Sequence, residues 1–261
     1  MVSSSGASEP TSALPYTILA AGYDFVMSHV DYRLWAEYIH TILERHHPNA
    51  HTVVELGCGT GSLAIALQPL GGFRYLATDL SKAMLEVARQ KAHETNTEVR
   101  FDRADFTEFN VDTPVDVLLL LYDGLNYLLD ENLIRGLMKS AFAALVPGGV
   151  FIVDQSTPSN SINNEPFFEH SDSVDIFSYV RRSFYDSESR LHRTTLEISV
   201  DGQDFREEHI QRAYEAGEIE ALATEAGLKI EAAYDGFSTE SATADSERVH
   251  WVFRRPRHDD V

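Results

Sequence analysis

The sequence predicts an α/β protein built on a mostly parallel sheet, and three observations carry that prediction. Strand-like and helix-like segments alternate from residue 53 to residue 154, the pattern of consecutive βαβ units. Residues 115–122 (VDVLLLLY) are almost continuously apolar, as in strands that are covered on both faces. Residues 174–214 then change to strand-like segments separated by turn signals, which predicts an antiparallel insertion.

Seven segments have the apolar content and the length of strands of the main sheet. They lie at or near residues 53–54, 73–78, 99–101, 115–122, 150–154, 229–237 and 249–254. Helical spacing of apolar residues or capping signals mark the segments between them, at residues 34–42, 62–67, 81–88, 133–145 and 218–226. The chain therefore predicts a seven-stranded, mostly parallel sheet with helices on both faces.

The insertion divides the chain into two parts. We expect residues 15–155 and 215–256 to form one domain, and residues 156–214 to form an antiparallel β-meander that acts as a lid. Its three predicted strands are separated by Asp-Ser and Asp-Gly turns and lie at residues 174–185, 190–200 and 204–214. Residues 1–14, rich in Ser, Ala, Gly and Pro, are expected to be a disordered tail.

The composition excludes several classes of function. A formal net charge of −20 disfavours binding to nucleic acid or to anionic lipid, because both require basic patches. No apolar run has the length of a membrane span, and the N-terminus lacks the features of a secretory signal. A single cysteine excludes an internal disulfide and fits a reducing compartment, so we expect a cytoplasmic protein.

Residues 53–61 read VVELGCGTG and place glycines at positions 57, 59 and 61, between a strand and a helix. Such a tight turn needs positive φ angles or a close backbone approach, which glycine alone provides freely. Bare backbone amides at a helix N-terminus are well placed to hold a ligand. The dinucleotide pattern G-x-G-x-x-G would need a third glycine where Ser62 stands.

The second predicted strand ends in Asp79, 18 positions after Gly61. An acidic residue at this point can accept hydrogen bonds from both ribose hydroxyls of a bound nucleoside. Dinucleotide-binding folds use the same device, so Asp79 alone does not identify the cofactor.

The order E-x-G-x-G-x-G at residues 55–61 and the context D-L-S-x-x-M-L at residues 79–85 together resemble class I S-adenosylmethionine (SAM)-dependent methyltransferases. The resemblance implies a Rossmann-like fold with SAM as cofactor. It places the methionyl group of SAM along the glycine turn and against the end of the fourth strand. It places the ribose at the end of the second strand and the adenine after the third strand. The residues so implied are Glu55, Gly57, Cys58, Gly59 and Gly61 at the turn, Asp79 and Leu80 at the second strand, Asp105 and Phe106 after the third, and Tyr122 at the fourth.

The N-terminal pattern Tyr16, Tyr23 and Asp24 resembles that of small-molecule methyltransferases of the sugar-N-methyltransferase and glycine-N-methyltransferase-like group. In that group this segment folds over SAM, and its tyrosines line the site of methyl transfer. The resemblance implies the same cofactor contacts for Tyr16 and Tyr23. The alternative is that both rings are part of the core.

Methyl transfer is an in-line displacement that needs proximity and an acceptor with a free lone pair, and it does not always need a base. The candidates for a base or a substrate contact are Asp123, Tyr127, Tyr16, Tyr23 and His209, and we take Asp123, Tyr23, Tyr16 and His209 as the candidate catalytic residues. Asp123 has an open alternative role in holding its loop or a positively charged amine, and His209 has one as a solvated strand residue. No HExxH or CxxC pattern predicts a metal site.

The predicted function is SAM-dependent methyl transfer to a nitrogen or oxygen atom of a small-molecule acceptor, by a monomer or homodimer. A protein methyltransferase and a SAM-binding regulatory protein without catalysis stay open as alternatives. A nicotinamide-dependent oxidoreductase is a third, which would bind NADH and not SAM.

Overall fold

A computed structural model describes residues 9–257, and two sheets organise this part of the chain. Residues 1–8 of the predicted tail lie outside the described residues. None of the helices in residues 9–257 has the length and hydropathy to span a membrane.

The first half of the described chain contains five strands and four helices. In order these are β1 (Thr11–Ala13), α1 (Tyr23–Val26), α2 (Tyr32–His46), β2 (Thr52–Leu56), α3 (Ser62–Gly71), β3 (Arg74–Asp79), α4 (Lys82–Glu94), β4 (Val99–Arg103) and β5 (Val115–Leu120). The second half follows with α5 (Glu131–Ala144), β6 (Leu145–Ser156), α6 (Pro158–Asn163), β7 (Glu169–Val174), β8 (Phe177–Asp186), β9 (Leu191–Val200), β10 (Gln203–Arg212), α7 (Ala216–Glu225), β11 (Lys229–Asp235) and β12 (Arg248–Arg254). Short 3-10 helices cover Leu19–Gly22, Leu125–Tyr127 and Glu165–Phe167.

The main sheet has seven strands in the order β11-β12-β6-β5-β2-β3-β4. Strands β2 to β6 run parallel, whereas β12 pairs antiparallel with β6 and with β11. The seven strands are the seven predicted ones, so the prediction of a mostly parallel sheet is confirmed. The topology brings the carboxyl ends of β2, β3 and β5 to one edge, where open α/β sheets bind their ligands.

Both faces of this sheet are covered by helices, as predicted. Along β5, Val117 and Leu119 belong to the apolar cluster that includes α2, α3 and α4, whereas Leu118 and Leu120 belong to the cluster that includes α5 and α7. All four side chains are fully buried. Alternation of side chains across the strand therefore explains why residues 117–120 are all apolar.

The inserted lid sheet has five strands in the order β1-β10-β9-β8-β7. The three predicted strands are β8, β9 and β10, and they pair antiparallel. Two outer strands add to them. β7 is exposed at all six positions and pairs with β8, and β1 pairs in parallel with β10. Residues 11–13, within the predicted tail, thus form an edge strand of the lid.

The N-terminal segment of residues 9–26 packs on the lid sheet and joins it to the core. Leu19 is buried in one cluster with Phe177, and a Cβ atom at Gly22 would lie only 2.3 Å from the Phe177 ring. Asp24 bonds the core through Lys91, whose Nζ lies 2.5 Å from its carboxylate, and through the hydroxyl of Thr60 at 2.6 Å. The segment and the lid sheet therefore form one covering layer over the edge of the main sheet.

Candidate active site

A cavity of about 740 Å³ lies between the glycine turn and the N-terminal segment. This volume is within the range of cofactor pockets. Ten of the twelve residues predicted to bind the cofactor line it: Tyr16, Tyr23, Glu55, Gly57, Cys58, Gly59, Asp79, Leu80, Phe106 and Tyr122. We call this space the cofactor cavity.

The glycine turn has left-handed backbone at Gly57, Gly59 and Gly61, with φ angles of 65°, 55° and 71°. A Cβ atom at Gly59 would meet only Tyr23 across the cavity, at 3.9 Å, so its absence leaves room for a ligand. Gly61 does not line the cavity. A Cβ atom there would lie 2.9 Å from the Phe101 ring, so Gly61 serves helix packing in this structure.

Asp79 ends β3 and lines the cofactor cavity. Its carboxylate accepts hydrogen bonds from the backbone amides of Gly59 and Ser81, both at 2.8 Å. Burial raises the pKa of Asp79, and these backbone hydrogen bonds partly offset that rise. The two bonds fix the carboxylate between the glycine turn and the start of α4, and each of its oxygens keeps a further lone pair.

Glu55 is the penultimate residue of β2 and is 4% exposed. Burial raises its pKa to about 8, although the hydroxyl of Tyr75 donates to the carboxylate at 2.8 Å and lowers it. The nearby charge of Asp79 raises it further. At neutral pH the ligand-free protein therefore holds Glu55 largely protonated.

A second cavity, of about 430 Å³, lies under the inner face of the lid sheet, and we call it the lid cavity. It shares four lining residues with the cofactor cavity, namely Tyr16, Tyr23, Tyr122 and Tyr127. These four tyrosines form the boundary between the two cavities. A molecule in the lid cavity meets the contents of the cofactor cavity at these rings.

Tyr16 and Tyr127 belong to a hydrogen-bonded chain that reaches into the lid sheet, which we call the tyrosine–histidine chain (Tyr16, Tyr127, His209 and Glu207). The Tyr16 and Tyr127 hydroxyls are 2.5 Å apart, and the Tyr127 hydroxyl is 3.0 Å from Nδ1 of His209. Nε2 of His209 is 3.3 Å from the Glu207 carboxylate. Glu207 is fully buried and also accepts from the backbone amides of Tyr16, Ile18 and Leu19.

The protonation states of the tyrosine–histidine chain set the direction in which its hydrogen bonds are donated. Burial raises the pKa of Tyr16 and of Tyr127, so both phenols stay protonated. Burial alone would raise the pKa of Glu207, but the hydrogen bonds from His209 and the backbone amides lower it below its ordinary value. An ionised Glu207 can only accept, so it holds the His209 proton on Nε2 and leaves Nδ1 as an acceptor for Tyr127.

Comparison with known proteins agrees with this geometry. Residues 53–149 match the family model described as a methyltransferase domain. The putative methyltransferase YqeM of Bacillus subtilis is 29% identical over 247 residues, which cover 93% of this chain and 98% of the relative. An S-adenosylmethionine-dependent methyltransferase from Clostridium acetobutylicum has a TM-score of 0.77 at 24% identity, over 90% of this chain and 96% of that one. The SAM-bound amino pentose methyltransferase CalS10 from Micromonospora echinaspora has a TM-score of 0.68 at 19% identity, over 90% of this chain and 96% of that one.

The chain is an S-adenosylmethionine-dependent methyltransferase. The resemblance to SAM-dependent methyltransferases that residues 55–61 and 79–85 indicated is thereby confirmed, with SAM as the cofactor. The volume of the cofactor cavity, the open space at Gly59 and the half-buried carboxylate of Asp79 all fit that molecule.

Asp123 of the methyltransferase lines the lid cavity but is engaged by an arginine. Its carboxylate lies 2.7 Å from Arg248, which also binds the buried Asp154. Asp154 in turn accepts from the backbone amide of Asp123 at 3.0 Å. Tyr122 and Asp123 are consecutive left-handed residues, with φ angles of 67° and 62°, and this cluster stabilises their strained backbone. The arrangement favours the loop-holding role for Asp123 over a catalytic one.

Of two further predicted cofactor residues, Cys58 lines the cofactor cavity and Asp105 does not. Asp105 is exposed and does not line the cofactor cavity, because its carboxylate accepts from the amide and hydroxyl of Thr107 at 2.9 and 2.7 Å. Its neighbour Phe106 does line it. Cys58 is buried, and burial raises the pKa of its thiol well above the ordinary value, so it stays a neutral thiol in the wall of the cofactor cavity.

The sequence analysis missed three residues on the inner face of the lid sheet, namely Arg181, His192 and Glu207. In the register of the lid sheet, Leu196 lies between Arg181 and Glu207 on neighbouring strands. His192 lies opposite Gln211. The alternation of positions 207, 209 and 211 along β10 is the signal that could have found Glu207, because these residues share a face with His209.

The raised pKa of Glu55 leads to a testable prediction about stability. Its pKa rises from an ordinary value of 4.5 to about 8 on folding, so between these values the folded protein binds more protons than the unfolded chain. Stability should therefore fall as the pH rises through this window, by at most about 1.4 kcal/mol per pH unit. Glu55→Gln should lack this component.

Urea unfolding of the ligand-free protein at pH 5, 6, 7 and 8 measures the effect. The exposed Glu98 provides a matched control, and Glu98→Gln should follow the wild type. Parallel pH dependences for the wild type and Glu55→Gln would show that Glu55 ionises normally.

Proposed function

We propose that this methyltransferase moves the methyl group of SAM to a nitrogen or oxygen atom of a small molecule bound in the lid cavity. The observation that carries the proposal is the set of four tyrosines shared by the two cavities. A second cavity that meets the cofactor cavity at one wall is the arrangement that a two-substrate transfer needs. The likeness to the amino pentose methyltransferase CalS10 supports a small acceptor.

The residues that line the cofactor cavity take the roles implied by the family resemblance. Glu55, Cys58 and the turn glycines Gly57 and Gly59 lie along the methionyl group. Asp79 and Leu80 hold the ribose, and the end of β4 with Phe106 holds the adenine. When bound, SAM supplies an activated methyl group, and its sulfur keeps the bonding electron pair on transfer.

The acceptor atom supplies the lone pair for the new bond to carbon, and its proton leaves through the tyrosine–histidine chain. The Tyr16 hydroxyl donates to Tyr127, which leaves a Tyr16 lone pair for the acceptor N–H or O–H. Tyr127 passes its proton to Nδ1 of His209 and receives the Tyr16 proton in its place. Tyr16 in turn takes the proton of the acceptor. Glu207 stabilises the resulting imidazolium through Nε2. Since both phenols keep a high pKa, His209 is the group that finally holds the proton.

Tyr23 and the N-terminal segment exclude water from the site of transfer. Burial raises the pKa of Tyr23, so its phenol is neutral there. The Tyr16 backbone is held from both sides, because its amide donates to Glu207 at 2.8 Å and its carbonyl accepts from the Ser81 hydroxyl at 2.8 Å. We further infer a cytoplasmic monomer or homodimer.

Methyl transfer from radiolabelled SAM tests this proposal directly. The purified full chain is incubated with a panel of small amines and phenols, with peptides that carry a free N-terminus, and with no acceptor. We expect acceptor-dependent formation of S-adenosylhomocysteine with small molecules. Labelling of peptides alone would replace the proposal with a protein methyltransferase. SAM binding without transfer to any acceptor would favour a regulatory protein.

A further inference from the structure

The lid cavity carries an excess of positive charge in a strongly acidic chain. The whole protein has 41 acidic residues against 21 Lys and Arg. The lining of the lid cavity reverses this ratio, with the three arginines Arg181, Arg212 and Arg248 and the single carboxylate Asp123. In a chain with a net charge of −20, such a reversal within one cavity calls for a reason.

Arg248 does not contribute to this excess. Its guanidinium binds both Asp123 and Asp154, so its charge is already balanced. The remaining positive charge belongs to Arg181 on β8 and Arg212 at the end of β10.

Arg181 is the less satisfied of the two. Its Nη2 donates to the carbonyl of Phe167 at 3.1 Å, while its buried Nε has no hydrogen-bond partner in the described structure. Within residues 9–257 no carboxylate lies within ion-pair distance of it. The next residue, Arg182, is on the outer face of the same strand and pairs with Glu169 at 3.2 Å and with Glu197 at 2.9 Å.

Arg212 is held from several sides. It lies 3.9 Å from Glu218, donates to the carbonyl of Leu129 at 3.3 Å and packs over the Tyr214 ring at 4.8 Å, although its buried Nε lacks a hydrogen-bond partner among residues 9–257. Arg181 is therefore the freer guanidinium of the two. A guanidinium with free donors binds a carboxylate or a phosphate in a bidentate manner, and such charge-assisted bonds are the strong ones. Ser183, His192 and Thr194 line the same cavity and add hydrogen-bonding groups.

We propose that the acceptor carries an anionic group, a carboxylate or a phosphate, which Arg181 binds. This inference rests on the proposed function, since it concerns the molecule that receives the methyl group. Strand β8 is separated from β10, which holds His209, by two strand spacings, about 10 Å. The anionic group and the methylated atom therefore lie at different ends of the acceptor.

Binding of inorganic phosphate and of 4-aminobenzoate to the full chain, loaded with S-adenosylhomocysteine, tests the site without turnover. By equilibrium dialysis we expect at least one anion to bind the wild type about tenfold or more tightly than Arg181→Gln. Arg182→Gln, the matched control on the outer face, should bind like the wild type. Arg181→Lys should recover part of the affinity. Equal binding by Arg181→Gln and Arg182→Gln would overturn the proposal, as would no binding of either anion to the wild type.

Paired acceptors distinguish carboxylate from phosphate. Labelled methyl transfer is compared between 4-aminobenzoate and 4-aminobenzamide, and between phosphoethanolamine and ethanolamine. We expect a lower KM for the anionic member of one pair, and loss of this preference in Arg181→Gln with little change in kcat. A preference for the neutral members would overturn the inference. Arg181-dependent anion binding without any methyl transfer would instead leave the anion site standing and contradict the proposed function.

Discussion

Removal of the Tyr127 hydroxyl in Tyr127→Phe is expected to lower kcat by about 10²–10⁴ while SAM affinity stays near that of the wild type. General acid–base catalysis contributes a factor of this size. The substitution interrupts the tyrosine–histidine chain at its centre, because this hydroxyl joins Tyr16 at 2.5 Å to His209 at 3.0 Å. Single-turnover kinetics with an acceptor from the active panel, and calorimetry with SAM, measure the two quantities separately.

His209→Asn should produce a loss of similar size, and the double variant should be little worse than either single one, since the residues act as a unit. The side chains that contact the His209 ring are Glu207, Tyr127 and Tyr16.

The lid sheet offers a matched control for these variants. The Tyr179 hydroxyl is hydrogen-bonded to Nδ1 of His170 at 2.8 Å, which is a tyrosine–histidine pair of the same kind, and neither residue lines the cofactor cavity or the lid cavity. Tyr179→Phe should therefore leave kcat within a few-fold of the wild type. An equal loss of kcat in Tyr179→Phe and Tyr127→Phe would mean that both act only through the stability of the lid.

The main sheet could be predicted from the sequence because the apolar pattern within each strand reflects the burial of that strand. Buried strands such as β5 are apolar along most of their length, and a glycine turn marks the first strand–helix junction. The outer strands of the lid give no such signal. β7 is largely polar and exposed throughout, and β1 exists only through its pairing with β10, about three quarters of the chain length away.

The same difference between local signals and contacts of distant segments applies to the two halves of the site. Cofactor residues from Glu55 to Leu80 are close in sequence and follow a recognisable pattern, so they were predicted together. The tyrosine–histidine chain joins residues from three distant segments, with 111 positions between Tyr16 and Tyr127 and 82 between Tyr127 and His209. Its members could be proposed singly, but their contact depends on how the lid folds back. The ion pair of Asp123 with Arg248 escaped prediction for the same reason.

Loss of charge at Asp79 is the second large effect that we expect, this time on cofactor binding. Asp79→Asn should weaken SAM binding by about 1.5–3 kcal/mol, or roughly 10–150-fold, because a charge-assisted bond to the ribose is replaced by a neutral one. Asp79→Ala should lose more, since the carboxylate also accepts from the amides of Gly59 and Ser81 and so shapes the turn. Calorimetry of the full chain measures the dissociation constant of each variant.

The choice of ligand shows which part of the cofactor Asp79 contacts. SAM and S-adenosylhomocysteine share the ribose and differ at the sulfur, so a ribose contact requires both to lose the same factor in Asp79→Asn. Asp102→Asn, at an exposed ion pair with Arg100 on β4, is the matched control and should leave both affinities unchanged. A loss confined to SAM would assign Asp79 to the sulfonium charge, and unchanged affinity for both would remove it from the cofactor site.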